Sequence, residues 1–390
     1  MHPLSPDVSN QEKEAVWQAF RQGQPRRVPV ELGTNPRIVL LDPRLNERGV
    51  TFEQYFADPA AMIQVQLQHS LYRARVLHRY CDSPLGLPER WTVYVDMQNV
   101  YEAAFFGAQI HYRAGQVPDT IPPYGGENRE AIFDLDIHCP LSQGFFRQGL
   151  ERYARMVELT RDMAFMDRPV DVTPFFPGGT DGPLTVAMNV RGPQVMADLA
   201  LDPGYADRLL AWIVEAAILR VRALRAYWGR AEEGGGLADD SIQLISTAMY
   251  RARVLPHHRR YLDALRPGQP RSIHLCGDAT RHFRTIRDEL QVTEFDTGFP
   301  VDFGWLRREL GPQVLIHGGV EAGLLRHGTP EQVYERAKRI LLSGIKEGGR
   351  FILREGNNLP PGVPEENLAA MYRACLDHGG YDVAFLLCSL

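Results

Sequence analysis

The sequence predicts an α/β protein that folds as a single (β/α)8 TIM barrel with an N-terminal extension and insertions in its first half. Three observations favour this fold. Eight short runs rich in apolar and β-branched residues alternate with longer segments of helical period. Polar side chains stand at the ends of these runs, where the loops of a barrel form its mouth. The chain has 390 residues and no fixed-period repeat or low-complexity linker, so one elaborated domain is preferred over two.

Each β/α unit can be placed along the chain. The predicted strands span 28–32, 92–96, 171–176, 236–239, 272–276, 292–296, 314–317 and 351–354. The clearest helical stretches between them are 58–80, 203–229 and 329–349. Asp202 and Thr329 each precede a proline, so both are expected to be helix N-caps.

The predicted organisation is uneven along the chain. We expect residues 1–25 to form a helical extension and residues 26–390 to form the barrel. Longer connections at 107–144 and 177–193 are the expected insertions, whereas the last four units are closely spaced. A doubly wound open sheet is the second choice. It is disfavoured because GTNPR after the first strand is not a dinucleotide-binding loop and no P-loop pattern occurs.

Composition excludes several classes of function. The formal net charge is −5, which provides no basic field for nucleic acid or an anionic membrane. Lysine occurs only at Lys13, Lys338 and Lys346, so Schiff-base chemistry is improbable. The five cysteines are odd in number and scattered, which indicates a reducing compartment rather than a disulfide framework. Because the sequence has no signal-like start and no long apolar run, we expect a soluble, cytoplasmic protein.

Candidate functional groups cluster at the ends of the predicted strands. Their side chains could bind substrate, transfer protons or hold an ion. They are Glu31, Arg37, Asp96, Asp181, Asp239, Asp240, His274, Cys276, Glu294, Asp296, His317, Arg354, Glu355 and Asn357.

The sharpest motif is SIHLCGD, in which His274 and Cys276 are two residues apart on a strand and so project from one face. Imidazole nitrogen and thiolate sulfur are ligands that zinc prefers. The alternative is a packed histidine and a buried cysteine. A third ligand could come from Glu294 or Asp296, which share one face of the next strand. These carboxylates could instead pair with arginines or fix loop backbone.

Other strand-end groups have more than one interpretation. One of Asp239 and Asp240 could be a general acid, a base or a binding group, while the other caps the next helix. Arg37 and Arg354 could each hold a substrate carboxylate in a bidentate fork, or could simply be solvated.

Several segments together resemble the uroporphyrinogen decarboxylase superfamily, which includes the decarboxylase of haem synthesis and zinc-dependent corrinoid methyltransferases. The resemblance covers about residues 26–381 and implies a single (β/α)8 barrel. The segments that carry it are RRVPV, VTFEQYFADPAAM, EAAFFGAQI, LADDSIQLISTAMYRARVLPHH, SIHLCGD, VLIHGGVEAGLLRHGTPEQV and FILREGNNLPPGVPEENLAAM.

The sequence departs from both branches of that superfamily. The haem enzyme has an arginine-rich PVWxMRQAGR stretch, whereas this chain reads VPVELGTNPR and keeps only Arg37. The methyltransferases combine H-x-C with a distant cysteine in a GCG segment, and here that segment reads Gly356, Asn357, Asn358. Because asparagine is a poor zinc ligand, either a carboxylate such as Glu294, Asp296 or Glu355 replaces the thiolate, or tight metal binding is lost. The barrel of cobalamin-independent methionine synthase offers an analogy, since it draws a glutamate ligand from the strand after its H-x-C strand.

The resemblance therefore implies a metal-dependent, methyltransferase-like enzyme that activates a small thiol, an alcohol or a methyl donor at a zinc site. His274 and Cys276 would hold the ion with Glu294 or Asp296, while Asp240 and His317 would transfer protons or orient substrate. The candidates for substrate binding are Arg37, Asp96, Arg354 and Asn357. No D-x-H-x-x-G segment follows the H-x-C motif, so any corrinoid would be carried by a separate protein.

Two alternatives stay open. The first is a metal-free decarboxylase or lyase, in which Arg37 and Arg354 bind substrate carboxylates and an aspartate stabilises a developing cation. The second is a non-enzymatic protein that binds a corrinoid or tetrapyrrole.

Overall fold

The structure is a computed structural model that describes residues 8–83, 86–142, 144–175 and 179–381. It has an α/β fold in which helices connect the strands of a parallel sheet. Among the described residues, the strands in chain order are β1 Trp91–Val93, β2 Gln109–His111, β3 Asp119–Ile121, β4 Ala164–Phe165, β5 Arg168–Val172, β6 Gly179–Thr180, β7 Gly236–Ala238, β8 Arg271–Leu275, β9 Val292–Thr297, β10 Leu315–Val320 and β11 Phe351–Glu355.

Six strands form one parallel sheet in the order β11, β10, β9, β8, β7, β6. Neighbours in this sheet are consecutive in the chain, as expected for repeated β/α units. Strand β1 pairs with β5 in parallel in a second, smaller sheet, to which β4 adds an antiparallel edge. Strands β2 and β3 form a hairpin inside the region predicted as the first insertion.

The α-helices of the described residues cover the sheets and link the strands. They are α1 Asn10–Arg21, α2 Arg37–Leu40, α3 Phe52–Ala57, α4 Pro59–Arg75, α5 Tyr101–Phe105, α6 Gly144–Thr160, α7 Pro183–Arg191, α8 Gln194–Leu201, α9 Pro203–Trp228, α10 Thr247–Met249, α11 Leu255–Leu265, α12 Phe283–Leu290, α13 Phe303–Leu310, α14 Ala322–His327, α15 Pro330–Leu341 and α16 Glu365–His378. Shorter 3-10 turns occur at Leu77–Tyr80, Gln98–Val100, Glu127–Asp134, Asp240–Leu244, Thr280–His282 and Glu347–Gly349, and a π turn spans Tyr250–Val254.

The two predicted N-caps are confirmed. The Asp202 carboxylate accepts a hydrogen bond from the backbone N–H of Tyr205 at the start of α9. Thr329 and Gln332 form a reciprocal capping box at the start of α15, where a proline occupies the first turn. These local signals place both helix starts correctly because each cap satisfies backbone donors that the helix itself leaves free.

The strand boundaries differ from the prediction in several places. The predicted strand 92–96 is Trp91–Val93 in the structure, and the predicted strand 314–317 is Leu315–Val320. The predicted strand 28–32 contributes only a parallel bridge from Val30 to Leu353 of β11. The predicted strand 236–239 ends at Ala238, because Asp239 leaves the sheet and caps α7. The predicted strand 171–176 is shifted to Arg168–Val172, and its predicted last residue, Phe176, lies outside the described residues.

The apolar core consists of two clusters. The larger one lies around the six-stranded sheet, and the smaller one packs against β1 and β5. Leu45 and Phe105 pack against both clusters and connect them. Among the described strands, no pairing joins the smaller sheet to an edge of the larger one. Closure of all strands into one barrel therefore stays a prediction.

The buried carboxylate of Asp82 binds the N-terminal segment around Arg27 and Val30. Asp82 forms a bidentate ion pair with Arg27 at 2.6 and 2.7 Å and accepts a hydrogen bond from the Val30 N–H at 2.7 Å. The Tyr372 hydroxyl of α16 donates to the same carboxylate. Within the described ranges, no helix has the length and apolar character needed to cross a membrane.

Candidate active site

The predicted H-x-C pair lies at the carboxyl end of β8, beside β9. The backbone register aligns His274 with Asp296. His274 Nδ1 lies 2.9 Å from Asp296 Oδ2, and Nε2 of the same ring lies 2.9 Å from Cys276 Sγ. Burial opposes the charged imidazole, but the hydrogen bonds to Asp296 and Cys276 outweigh it and raise the pKa of His274 to about 10. The motif therefore forms a polar centre rather than packing into the core.

Asp240 completes a group of three donor side chains. Its Oδ1 atom accepts a hydrogen bond of 2.5 Å from the Cys276 N–H, so the loop after β7 is tied to the end of β8. One potential ligand atom each from Asp240, His274 and Cys276 lies within 4.8 Å of the others. Carboxylate oxygen, imidazole nitrogen and thiolate sulfur are all zinc donors, and a catalytic zinc site normally uses three protein ligands. This donor set fits the predicted ion.

The two carboxylates predicted as the third ligand lie beside this group. Asp296 faces the far nitrogen of His274, the position from which a carboxylate usually orients a metal-binding imidazole. Glu294 Oε1 lies 3.3 Å from His317 Nε2, and Glu31 lies 3.9 Å from the other ring nitrogen of His317. Direct ligation by Glu294 or Asp296 stays a prediction, while the geometry favours Asp240.

Arg354 is held by neighbouring groups of the protein. Its guanidinium donates to Asp296 at 3.0 Å, to Glu355 at 2.9 Å and to the backbone oxygen of Asn357 at 2.7 Å. Burial favours the neutral form of Glu355 and raises its pKa to about 7, although Arg354 opposes this. Asn357 thus meets Arg354 through its backbone carbonyl group. Substrate binding by Arg354 and Asn357 stays a prediction.

Arg37 and Asp96 lie at the other side of the site. Arg37 donates to the amide oxygens of Gln98 and Asn99 at 2.5 and 2.7 Å. Asp96 is buried and accepts hydrogen bonds from the Tyr55 hydroxyl and the Gln98 N–H, both at 2.9 Å. Burial raises the pKa of the Asp96 carboxyl group. Both residues support the turn at Gln98, and their predicted role in substrate binding is untested.

A cavity of about 430 Å³ opens beside the donor group. This volume suits a small molecule. Gly236 has no side chain and those of Ala238 and Ser272 are small, so space stays free along β7 and β8. The residues that line the cavity are Gln98, Asn99, Tyr101, Asp181, Gly236, Leu237, Ala238, Ser272, Ile273, His274, Glu294 and Asp296.

Asp181 is the lining residue whose importance the sequence did not reveal. Asp181 is one of the candidates at the ends of the predicted strands, but the sequence did not indicate a role for it. Burial, reinforced by the charges of Glu102, Asp240 and Asp239, raises the pKa of Asp181 to about 8. Glu102 accepts a hydrogen bond of 2.6 Å from the Asp181 N–H and forms a buried ion pair with Arg220. The TDGP sequence is a local signal for the turn that carries Asp181, because its proline is the first residue of α7.

Asp239 caps a helix, as expected for one of the two adjacent aspartates, but the helix is a different one. It accepts hydrogen bonds from the N–H groups of Leu184 and Thr185, so it caps α7 rather than the helix that follows it. His258 Nε2 lies 2.8 Å from the same carboxylate. Asp239 and His258 are fully buried, so this network fixes the turn that carries Asp181.

The chain is similar in sequence to two kinds of known enzyme. The methylated-thiol–coenzyme M methyltransferase of Methanosarcina mazei is 31% identical over 198 residues, which are 50% of this chain and 50% of that protein. A uroporphyrinogen decarboxylase of Synechococcus sp. (strain CC9902) is 29% identical over 133 residues, or 33% of this chain and 36% of that enzyme. The matched regions thus span about half and about a third of these relatives.

The fold comparison covers more of the chain. A solved structure of a methyltransferase from Methanosarcina mazei superposes with a TM-score of 0.63 at 17% identity, over 95% of this chain and 99% of that one. At this identity the likeness concerns the fold. The uroporphyrinogen decarboxylase (URO-D) family matches residues 11–378. The resemblance found in the sequence is confirmed, and the chain belongs to the URO-D family.

Proposed function

We propose that the protein is a metal-dependent methyltransferase whose ion is held by Asp240, His274 and Cys276. The observation that carries this proposal is the meeting of three different zinc donors within 4.8 Å at the edge of a cavity. The similarity to a methyltransferase of the same family supports it. We also propose that the strands close into a (β/α)8 barrel, as the fold of the solved methyltransferase suggests.

The side chains have distinct roles in this proposal. Bound zinc would lower the pKa of a substrate thiol or alcohol and so favour its nucleophilic form. Asp296 fixes the ring of His274 so that Nε2 faces Cys276. Asp181 lines the cavity with a pKa of about 8, so it is mostly protonated at neutral pH and can donate a proton to a substrate atom. A separate corrinoid protein would donate the methyl group to the substrate nucleophile, or accept it in the reverse direction.

The metal-free lyase is less well supported by the contacts. It requires arginines that reach substrate carboxylates. Arg354 is occupied by Asp296, Glu355 and the Asn357 carbonyl, and Arg37 donates to two amide oxygens. Neither arginine is among the described residues that line the cavity. The volume of the cavity likewise favours a small substrate over an enclosed corrinoid or tetrapyrrole.

Elemental analysis of untagged protein tests the proposal. We expect about one equivalent of zinc in the wild type and a large loss in Cys276→Ser, because thiolate ligands contribute strongly to zinc affinity. Cys139→Ser is the matched control, since Cys139 is exposed and outside the donor group. Equal zinc contents in the two variants, or a zinc-free wild type that does not bind added zinc, would contradict the proposal.

A further inference from the structure

The inner end of the cavity is formed by one level of the sheet. Ser272 on β8 is in register with Glu294 on β9, and Gly236 lies one residue before Leu237, which is in register with Ile273. All three residues at this level line the cavity. His274 and Asp296 lie two residues further along the same strands. A ligand whose reactive end meets His274 can therefore reach Glu294 at this inner end.

The charge at this inner end is negative. The Glu294 side chain is 42% exposed, so its carboxylate is accessible from the cavity. His317 lies beside it but is shared between two carboxylates, at 3.3 Å from Glu294 and 3.9 Å from Glu31. A hydrogen bond to His317 lowers the pKa of Glu294, and the charge of Arg350 acts in the same direction. Glu294 is therefore an ionised carboxylate at neutral pH.

The charges of Arg350 and Arg354 act on the two glutamates from outside the cavity lining. The described residues that line the cavity include no lysine or arginine. His274 is occupied by Asp296 and Cys276, and Arg354 donates to Asp296 and Glu355. An anionic group placed beside Glu294 would meet like charge, whereas an ammonium group would find a carboxylate acceptor.

We infer that the substrate is a small molecule with a protonated amine at the end opposite its reactive heteroatom, and that Glu294 selects this amine. The placement of the heteroatom beside His274 and Cys276 rests on the proposed function. The charge preference of the inner end is independent of the proposed function, because it depends on Glu294, Glu31 and the cationic groups around them.

Calorimetric titration of the zinc-loaded protein with three thiols provides the test. Cysteamine, 2-mercaptoethanol and 3-mercaptopropionate share a thiol but end in an ammonium, a hydroxyl and a carboxylate group. We expect cysteamine to bind at least about tenfold more tightly than 3-mercaptopropionate. Glu294→Gln should remove most of this preference and change the affinity for 2-mercaptoethanol little. The surface variant Glu158→Gln, whose carboxylate pairs with Arg155, should behave like the wild type.

A second arm separates this inference from the proposed function. Metal-free protein is titrated with n-propylammonium and with propionate, and ligand binding is followed by saturation-transfer NMR. A preference for the ammonium ion that Glu294→Gln abolishes would support the inference. If no thiol bound the zinc-loaded protein, that result would count against the proposed function alone. Stronger binding of propionate or 3-mercaptopropionate, or a preference that survives in Glu294→Gln, would overturn the inference.

Discussion

Asp296 approaches Nδ1 of His274 to 2.9 Å and thereby leaves Nε2 of that ring facing the Cys276 sulfur. Asp296 also receives a hydrogen bond from Arg354, so its own position is fixed from a third strand. The candidate ligand and its orienting carboxylate thus come from adjacent strands in register. This relationship makes the H-x-C motif a pre-organised site.

Replacing Asp296 with asparagine should weaken zinc binding without removing a ligand. We expect a loss of about 10–100-fold in zinc affinity, which is usual when the carboxylate behind a ligating histidine is changed. Competition with a chromophoric chelator measures it. Glu294→Gln is the control, because Glu294 lies beside His317 instead. A larger loss in Glu294→Gln than in Asp296→Asn would identify Glu294 as the ligand.

Replacing Gly298 with alanine should disturb the site through the backbone. An added Cβ would lie 2.8 Å from Cys276 Cα and 3.0 Å from Gly277 N, too close for an unchanged main chain. We expect a loss of about 1–3 kcal/mol in the free energy of unfolding, together with weaker zinc binding. Gly323→Ala has open space around its Cβ and lies in α14, where alanine is favoured over glycine, so it should lower neither quantity. If Gly298→Ala also matches the wild type, the close contact is not restrictive.

Breaking the ion pair between Glu102 and Arg220 should be costly. Both side chains are only 2% exposed, so Glu102→Gln leaves a buried guanidinium without its counter-charge. We expect a loss of about 3–5 kcal/mol in urea unfolding. The exposed pair of Arg155 and Glu158 gives the comparison, since Glu158→Gln should cost less than about 1 kcal/mol. A loss that small in Glu102→Gln would show that Arg220 is well solvated.

The buried carboxyl group of Asp181 should make stability fall as pH rises. Between the ordinary aspartate pKa of 3.8 and the folded pKa of about 8, the native state keeps a proton that the unfolded state releases. The free energy of unfolding therefore decreases across this range. Asp181→Asn removes this dependence, so its stability relative to the wild type should rise by about 4–5 kcal/mol between pH 4 and pH 8.

Denaturant unfolding of the metal-free proteins at several pH values measures this effect. Asp119→Asn is a suitable control, because Asp119 is exposed in the β2–β3 hairpin. A parallel pH dependence in the wild type and in Asp181→Asn would show that Asp181 is ionised at neutral pH. It would then be unable to serve as a proton donor in the cavity.

The local parts of the fold could be predicted from the sequence. Strand periodicity placed His274 and Cys276 on one face, and prolines after Asp202 and Thr329 marked two helix starts. The pairing of distant segments could not be predicted in the same way. Asp240 lies 34 residues before His274. Only the register between β7 and β8 shows that its carboxylate reaches the Cys276 N–H.

Charge states in the site were equally inaccessible from the sequence. Asp239 and Asp240 are adjacent, yet one is a buried helix cap and the other belongs to the donor group. Asp181 gains its raised pKa from burial and from Glu102, a residue in a helix 79 positions earlier. Such effects depend on three-dimensional neighbours, so residue type and spacing alone do not reveal them.

The bridge between Arg27 and Gly380 brings two distant parts of the chain together. The Val28 N–H donates to the Gly379 carbonyl, and the Tyr381 N–H donates to the Arg26 carbonyl. Val28 lies before the residue that joins β11, whereas the donor group lies at the carboxyl ends of the strands. These two segments therefore hold each other on the side of the sheet away from the donor group, so a substitution that breaks their contact should lower stability more than it changes the donor geometry.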